Sequence, residues 1–135
     1  MTSFTFQPEC RLLKAAEFKA VFDHAMYKVH QPGFMLLAIQ RSADESPQSR
    51  IGIVVAKRKI KRAHERNRFK RLTRESFRLH QQQLPALDIV IMAKQGADHI
   101  QNPDMHQELQ TAWRMLQNRV QKQHLIKQPL SQNTR

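Results

Sequence analysis

Eleven of the 22 residues from Lys57 to Arg78 are Lys or Arg, and only Glu65 and Glu75 are acidic. The segment therefore carries +9 of the chain's formal +12. Like charges held this close repel one another and cost stability, and a helix face that merely meets water mixes its signs. The chemistry open to such a run is neutralisation of a polyanion, with cations pairing to phosphates and displacing condensed counterions. Neither Gly nor Pro interrupts it. Wrapped at about 100° per residue, Phe69, Leu72 and Leu79 form one narrow stripe, with Ser76 among them. Arg62, Arg66, Lys70, Arg71, Arg74 and Arg78 sweep the remaining circumference, broken by Phe77. One edge can dock on a core while the rest stays wet and positive. No coiled-coil seam is present, and the stripe is too thin for a membrane-surface helix. A nucleic-acid-binding helix fits best.

Side chains that make or break bonds are dispersed. A protein nuclease gathers acids around a divalent metal or sets a His pair for proton transfer, but the eleven acids here are scattered. Asp44 and Glu45 fall in a polar loop, and Glu65 and Glu75 balance charge among arginines. The seven histidines (His24, His30, His64, His80, His99, His106, His124) form no HxxxH pair and have no Cys partners, so four-ligand metal spacing is missing. Three glycines and no G-x-x-x-x-G-K-[ST] leave no phosphate cradle. The expectation is no catalytic residue, no metal ligand and no cofactor held by the protein itself. Phe18 and Phe22, one turn apart, read first as core. With Phe34 they could also form a wall on which single-stranded bases stack. Trp113 reads as core.

The elements that would position these residues follow from the pattern around them. The chain of 135 residues, 40% hydrophobic, makes one domain with a modest core. Its pI near 10.7 lies in the range of nucleic-acid-binding domains. Cys10 is the only cysteine, which suits a reducing compartment. No apolar run approaches a membrane span, and the N-terminus lacks the layout of a signal peptide, so a cytoplasmic protein is expected.

Residues 1–13 read as an extended arm. Phe18, Val21, Phe22, Ala25 and Met26 mark an amphipathic helix, and Pro32-Gly33 punctuates the chain. Strands are expected at 34–40 (FMLLAIQ, buried on much of both faces), 51–56 (IGIVVA) and 88–94 (DIVIMAK). The first two flank a polar loop, 41–50, and are expected to pair antiparallel. Gly52 marks a bulge or a close backbone approach. The basic helix begins near Arg62 and ends by Pro85, giving a β-α-β unit. Asn102-Pro103-Asp104 starts a last helix with Met105, Leu109, Ala112, Trp113, Leu116 and Val120 on one face. Residues 121–135 read as a flexible basic tail, leaving one domain over 1–120. The order α-β-β-α-β-α makes an α+β fold, a small mixed β-sheet with packed helices.

The run from Ala63 to Glu75 (AHERNRFKRLTRE) resembles the RNR signature of the bacterial ribonuclease P protein family. Residues 11–22 (RLLKAAEFKAVF), 50–59 (RIGIVVAKRK) and 88–94 are similar to that family's first helix and the strands flanking its basic helix, so the resemblance spans about residues 9–120. It implies a ribosomal protein S5 domain 2-like fold with a left-handed βαβ crossover, whereas right-handed crossovers dominate elsewhere. It also implies a subunit that assists a catalytic RNA. The RNA would use magnesium to remove the 5′ leader of precursor tRNA, with one protein per RNA subunit. By resemblance Arg66, Asn67, Arg68, Lys70, Arg71 and Arg74, with the basic neighbours Arg58, Lys59 and Arg62, would bind the ribonuclease P RNA. Phe18, Phe22, Phe34 and Leu37 would line a cleft for the leader, Leu37 standing where some relatives carry an aromatic residue. Three other readings stay open on the residues alone. They are a general RNA-binding protein, a DNA-binding protein with its basic helix in the major groove, and a protein-only nuclease.

Overall fold

The computed structural model describes residues 14–41 and 48–127, with side chains to Gln123. The arm expected over 1–13 with Cys10, most of the 41–50 loop, and residues 128–135 lie outside the described residues. The elements are α1 (Ala15–His24), β1 (Tyr27–His30), β2 (Phe34–Gln40), β3 (Arg50–Val54), α2 (Ala63–His80), β4 (Leu87–Ala93) and α3 (Asn102–Lys127). They form an α+β fold around one mixed sheet of order β1-β2-β4-β3.

Two features of the sheet correct the sequence expectation. First, the order gains a strand. Tyr27 to His30 alternates buried Tyr27 and Val29 with exposed Lys28 and His30, a stretch too short for its period of two to stand out from its neighbours. Second, β2 and β3 do not pair as a hairpin. β4 lies between them, antiparallel to β2 and parallel to β3. β4 (LDIVIMA) is buried along nearly its whole length, so it belongs in the sheet interior, while shorter β3 opens on Arg50 at an edge. Parallel pairing of β3 with β4 requires a crossover, which α2 supplies. The β3–β4 register is unbroken through Gly52, opposite Val90, so there is no bulge there.

Alternation splits each strand between two cores. Phe34, Leu36 and Ala38 of β2 join Ile51, Ile89 and Ile91 in the larger core beneath α2 and α3. Met35, Leu37 and Ile39 point the other way, toward α1, with Val54, Val90 and Met92. α2 buries Phe69, Leu72, Thr73, Ser76 and Phe77. Phe77 is thus core and not a break in the basic face, and Leu79, assigned above to the apolar stripe, is 57% exposed. The expected face of α3 is buried from Met105 to Val120. Trp113 stacks at a tilt on Phe77 with centroids 5.9 Å apart, and its Nε1 donates to Ser76 Oγ at 2.8 Å. α3 continues through residues 121–127, where a tail was expected, because Gln, Lys and Leu there favour helix and no Gly or Pro stops it.

The turn before β2 is held by close approach. A Cβ on Gly33 would stand 2.7 Å from Ile100 Cδ1, and the Gly33 N–H donates to Glu108 Oε1 of α3 at 2.9 Å.

Candidate nucleic-acid interface

The segment 55–62 and α2 place the cations. Ile60 is fully buried and anchors the approach to the helix, its N–H donating to Ala56 O at 3.1 Å. Lys57, Arg58, Lys61 and Arg62 on either side are exposed, and Lys59 is half-buried. Along α2, Asn67, Arg71 and Arg74 are exposed and Lys70 is half-buried. Arg71 lies a loose 3.9 Å from Glu75, both substantially exposed, a pairing that holds neither side chain firmly. These residues form a continuous positive surface on the side of α2 away from Phe69, Leu72 and Phe77.

Two arginines of the motif are not simply outward cations. Arg66 turns back over the N-terminus of α2, its Nη1 donating to Ile60 O at 3.0 Å and Lys61 O at 2.7 Å. Arg68 points across to the loop before α3. Its Nε donates to Glu65 at 2.9 Å, its Nη1 to Asn102 Oδ1 at 2.5 Å, and its Nη2 to Ile100 O at 3.0 Å and Asp98 O at 3.4 Å. The hydrogen bond from Arg68 holds the Glu65 carboxyl below its ordinary value. Glu65, Asp98 and Asn102 also border an open hollow with Arg68, and the Glu65 carboxylate pairs with its charge. Asn102, expected as a cap, spends its side-chain oxygen on Arg68 instead.

On the opposite face of the sheet, α1 leaves part of the surface uncovered. α1 begins over β3 and β4, where Glu17 meets Arg50, passes over Leu37 and Val90 at Val21, and ends where Met26 N–H donates to Ala38 O at 2.9 Å. It covers the cross-strand row Leu37, Val90 and Gly52, and its start reaches the row Ile39, Asp88 and Arg50. The next row runs His30, Met35, Met92 and Val54 across all four strands. There His30 is exposed and the other three are half-buried. On α1, Phe22 is 42% and the adjoining Met26 45% exposed, and Phe18 packs half-buried against the smaller core. The result is a shallow apolar floor beside a helix with an exposed phenylalanine.

Of the four residues expected in the cleft, the structure brings Phe18 and Phe22 to it. Phe34 is fully buried on the other face, edge-on to Phe69 with centroids 6.5 Å apart. Leu37 is on the groove side but lies beneath Val21, 6% exposed. Sequence reading missed Met35, Met92, Val54 and His30. Strand parity carried part of the signal, since residues 34 and 37 are three apart and cannot share a face of one strand.

No three His, Cys, Asp or Glu side chains among the described residues gather so as to hold a metal ion. Glu17 and Asp88, brought to the same arginine, are both engaged by Arg50. What the surfaces offer is phosphate neutralisation on one side and apolar contact on the other.

Comparison with known proteins agrees on one family. A family model described as Ribonuclease P matches residues 6–117. The "Ribonuclease P protein component" of Acinetobacter baylyi is 55% identical over 122 residues, covering 90% of this chain and 91% of that protein. The protein of the same description from Chromohalobacter salexigens is 40% identical over 129 residues, covering 96% of this chain and 98% of that one. Among solved structures, the Staphylococcus aureus RNase P protein superposes with a TM-score of 0.71 at 26% identity, covering 78% of this chain and 94% of that one.

Proposed function

The chain belongs to the ribonuclease P protein family, and from that membership we propose how its two surfaces divide the work. Its family role is the protein component of a ribonucleoprotein endoribonuclease of tRNA processing, and its partner is the ribonuclease P RNA. In the proposed arrangement the exposed cations of 57–62 and α2 seat the RNA subunit. The groove beside α1 receives the single-stranded 5′ leader of precursor tRNA. The observation that carries this reading is the separation of the two surfaces: a dense positive face on α2, and on the other side of the sheet an apolar floor beside exposed Phe22.

Chemistry in this reading belongs to the RNA subunit and its magnesium. The protein lowers the repulsion between two polyanions. If six phosphates were neutralised, binding would fall with salt at a log–log slope of roughly −4 to −5. Apolar and aromatic contact tolerates any base, as a subunit acting on many precursors requires. A leader-bearing precursor gains contacts that the mature product lacks, so product leaves. One protein per RNA subunit, acting in the cytoplasm, completes the proposal.

The test is reconstitution at low millimolar magnesium, where the RNA alone is slow, with a precursor tRNA that has a 5′ leader. Cleavage at the mature 5′ end that requires both components supports the reading. A protein that binds the RNA but never stimulates cleavage would be a general RNA-binding protein on this fold.

A further inference from the structure

We infer that Arg50 is a positioning residue for leader recognition, fastening α1 to the sheet and so fixing the wall that carries Phe18 and Phe22 beside the groove floor. The inference rests on the proposed leader site and adds the device that sets its geometry.

α1 has ten residues, shorter than helices that persist alone in water, so its position depends on what docks it. Only Val21 is fully buried, and Phe22 and Met26 remain largely in solvent. Phe18 and Ala25 add half-buried contacts to the smaller core, and a polar tie fixes the start of the helix. Arg50, at the start of edge strand β3, lays its fork against Asp88 of β4, Nε to Oδ1 and Nη2 to Oδ2, both at 2.8 Å. Its remaining terminal nitrogen, Nη1, reaches up to Glu17 Oε2 at 2.6 Å. Asp88 is 6% exposed and is approached also by Arg41 Nε at 3.3 Å. The carboxylate thus aims Arg50, and Arg50 aims Glu17. Glu17 is simultaneously part of the start of α1, where its Oε1 accepts the Lys14 N–H at 3.2 Å. Phe18 follows it directly and Phe22 lies one turn on. A planar fork bonding two carboxylates at once is a task for Arg and not for Lys. Without the tie, the start of α1 would be held only by the apolar contacts of Phe18, Val21 and Ala25, and the groove would lose a fixed width at that end.

The informative variant is Glu17→Gln. It removes the charge that Arg50 holds, keeps an acceptor for the Lys14 N–H, and leaves buried Asp88 paired. The holoenzyme assembled with ribonuclease P RNA is assayed for affinity toward precursor tRNA with a leader and toward the same tRNA without one. Glu17→Gln is expected to reduce the preference for the leader about five- to tenfold, the low end of what one stacked base contributes, with affinity for the RNA subunit unchanged. Phe22→Ala lowers the same preference directly. The loss in the double variant should be less than the sum of the two single losses, because both act through one wall. Hydrogen exchange in the free protein reads the device separately, with amides of 18–24 expected to exchange faster in Glu17→Gln.

Leader preference kept in Glu17→Gln but lost in Phe22→Ala overturns the positioning role and leaves the leader site standing. Preference kept in Phe22→Ala removes the leader site, and the inference falls with it even if exchange shows that Arg50 holds α1. Unchanged exchange in α1 overturns the inference whatever the binding data show.

Discussion

Arg68 and Asn102 meet across the gap between α2 and α3, guanidinium Nη1 to amide Oδ1 at 2.5 Å. The same guanidinium takes the carbonyls of Asp98 and Ile100 and the carboxylate of Glu65. An arginine that reads in sequence as one more phosphate contact also ties α2, in the fold, to the loop entering α3.

That relationship separates two kinds of cation on one helix. Arg68→Ala should lower the free energy of unfolding by about 2 kcal/mol, the scale of charge-assisted hydrogen bonds left unmade. Arg68→Lys should recover little, since an ammonium cannot span four acceptors. Arg74→Ala, at an exposed position, should stay within about 0.5 kcal/mol of the parent. It should nonetheless reduce the salt slope of binding to ribonuclease P RNA by about 0.7–0.9. Urea unfolding and salt-dependent binding on both variants check the partition. An Arg68→Ala protein as stable as its parent would show that the tie holds nothing.

Glu108 gives the stability a pH dependence of definite sign. Desolvation, more than any other cause, raises its carboxyl above the ordinary 4.5, although the Gly33 N–H pulls the other way. A folded-state value above the unfolded one means the native state holds the extra proton in that window. Stability from this group is therefore full below 4.5 and declines as pH rises through the raised value. Glu108→Gln keeps an acceptor for Gly33 and does not titrate. The stability difference should move in favour of the variant between pH 4 and pH 7, as measured by urea unfolding. A constant difference across that range would exclude the effect.

Tyr27 carries the opposite kind of defect. Its hydroxyl is buried and has no hydrogen-bond partner among the described residues, and burial raises its pKa above 10.0. Tyr27→Phe removes an unpartnered polar atom and should raise stability by about 1 kcal/mol. The gain should widen in alkali, because the native state resists deprotonation that the unfolded chain undergoes above pH 10. Thermal melting at pH 7 and pH 10 reads both parts. A lower melting temperature in the variant would mean that the hydroxyl has a partner after all.

Sequence alone determined much of this protein. Sustained local patterns were enough for the basic helix, expected near Arg62 and found from Ala63, the buried face of α3 from Met105 to Val120, and the strands at 34–40 and 88–94, the latter found at Leu87–Ala93, because helix and strand periods are local properties. The density of cations was enough for a polyanion partner, because charge does not depend on packing. Family membership also followed from the run at 63–75 and its flanking strands. Tertiary structure decided what local pattern cannot contain. β4 displaced the expected pairing of β2 with β3, since which strand lies inside a sheet depends on what covers both of its faces. Phe34 went to one core and Phe18 to the other, so a cleft assembled by residue type had to be reassembled by face, with Met35, Met92, Val54 and His30 as its floor. Arg66 and Arg68 found acceptors within the chain, and Arg50 found Glu17 and Asp88, 33 and 38 residues away. A guanidinium has the same charge in any sequence; whether it meets phosphate or protein is set by the acceptors the fold brings within reach.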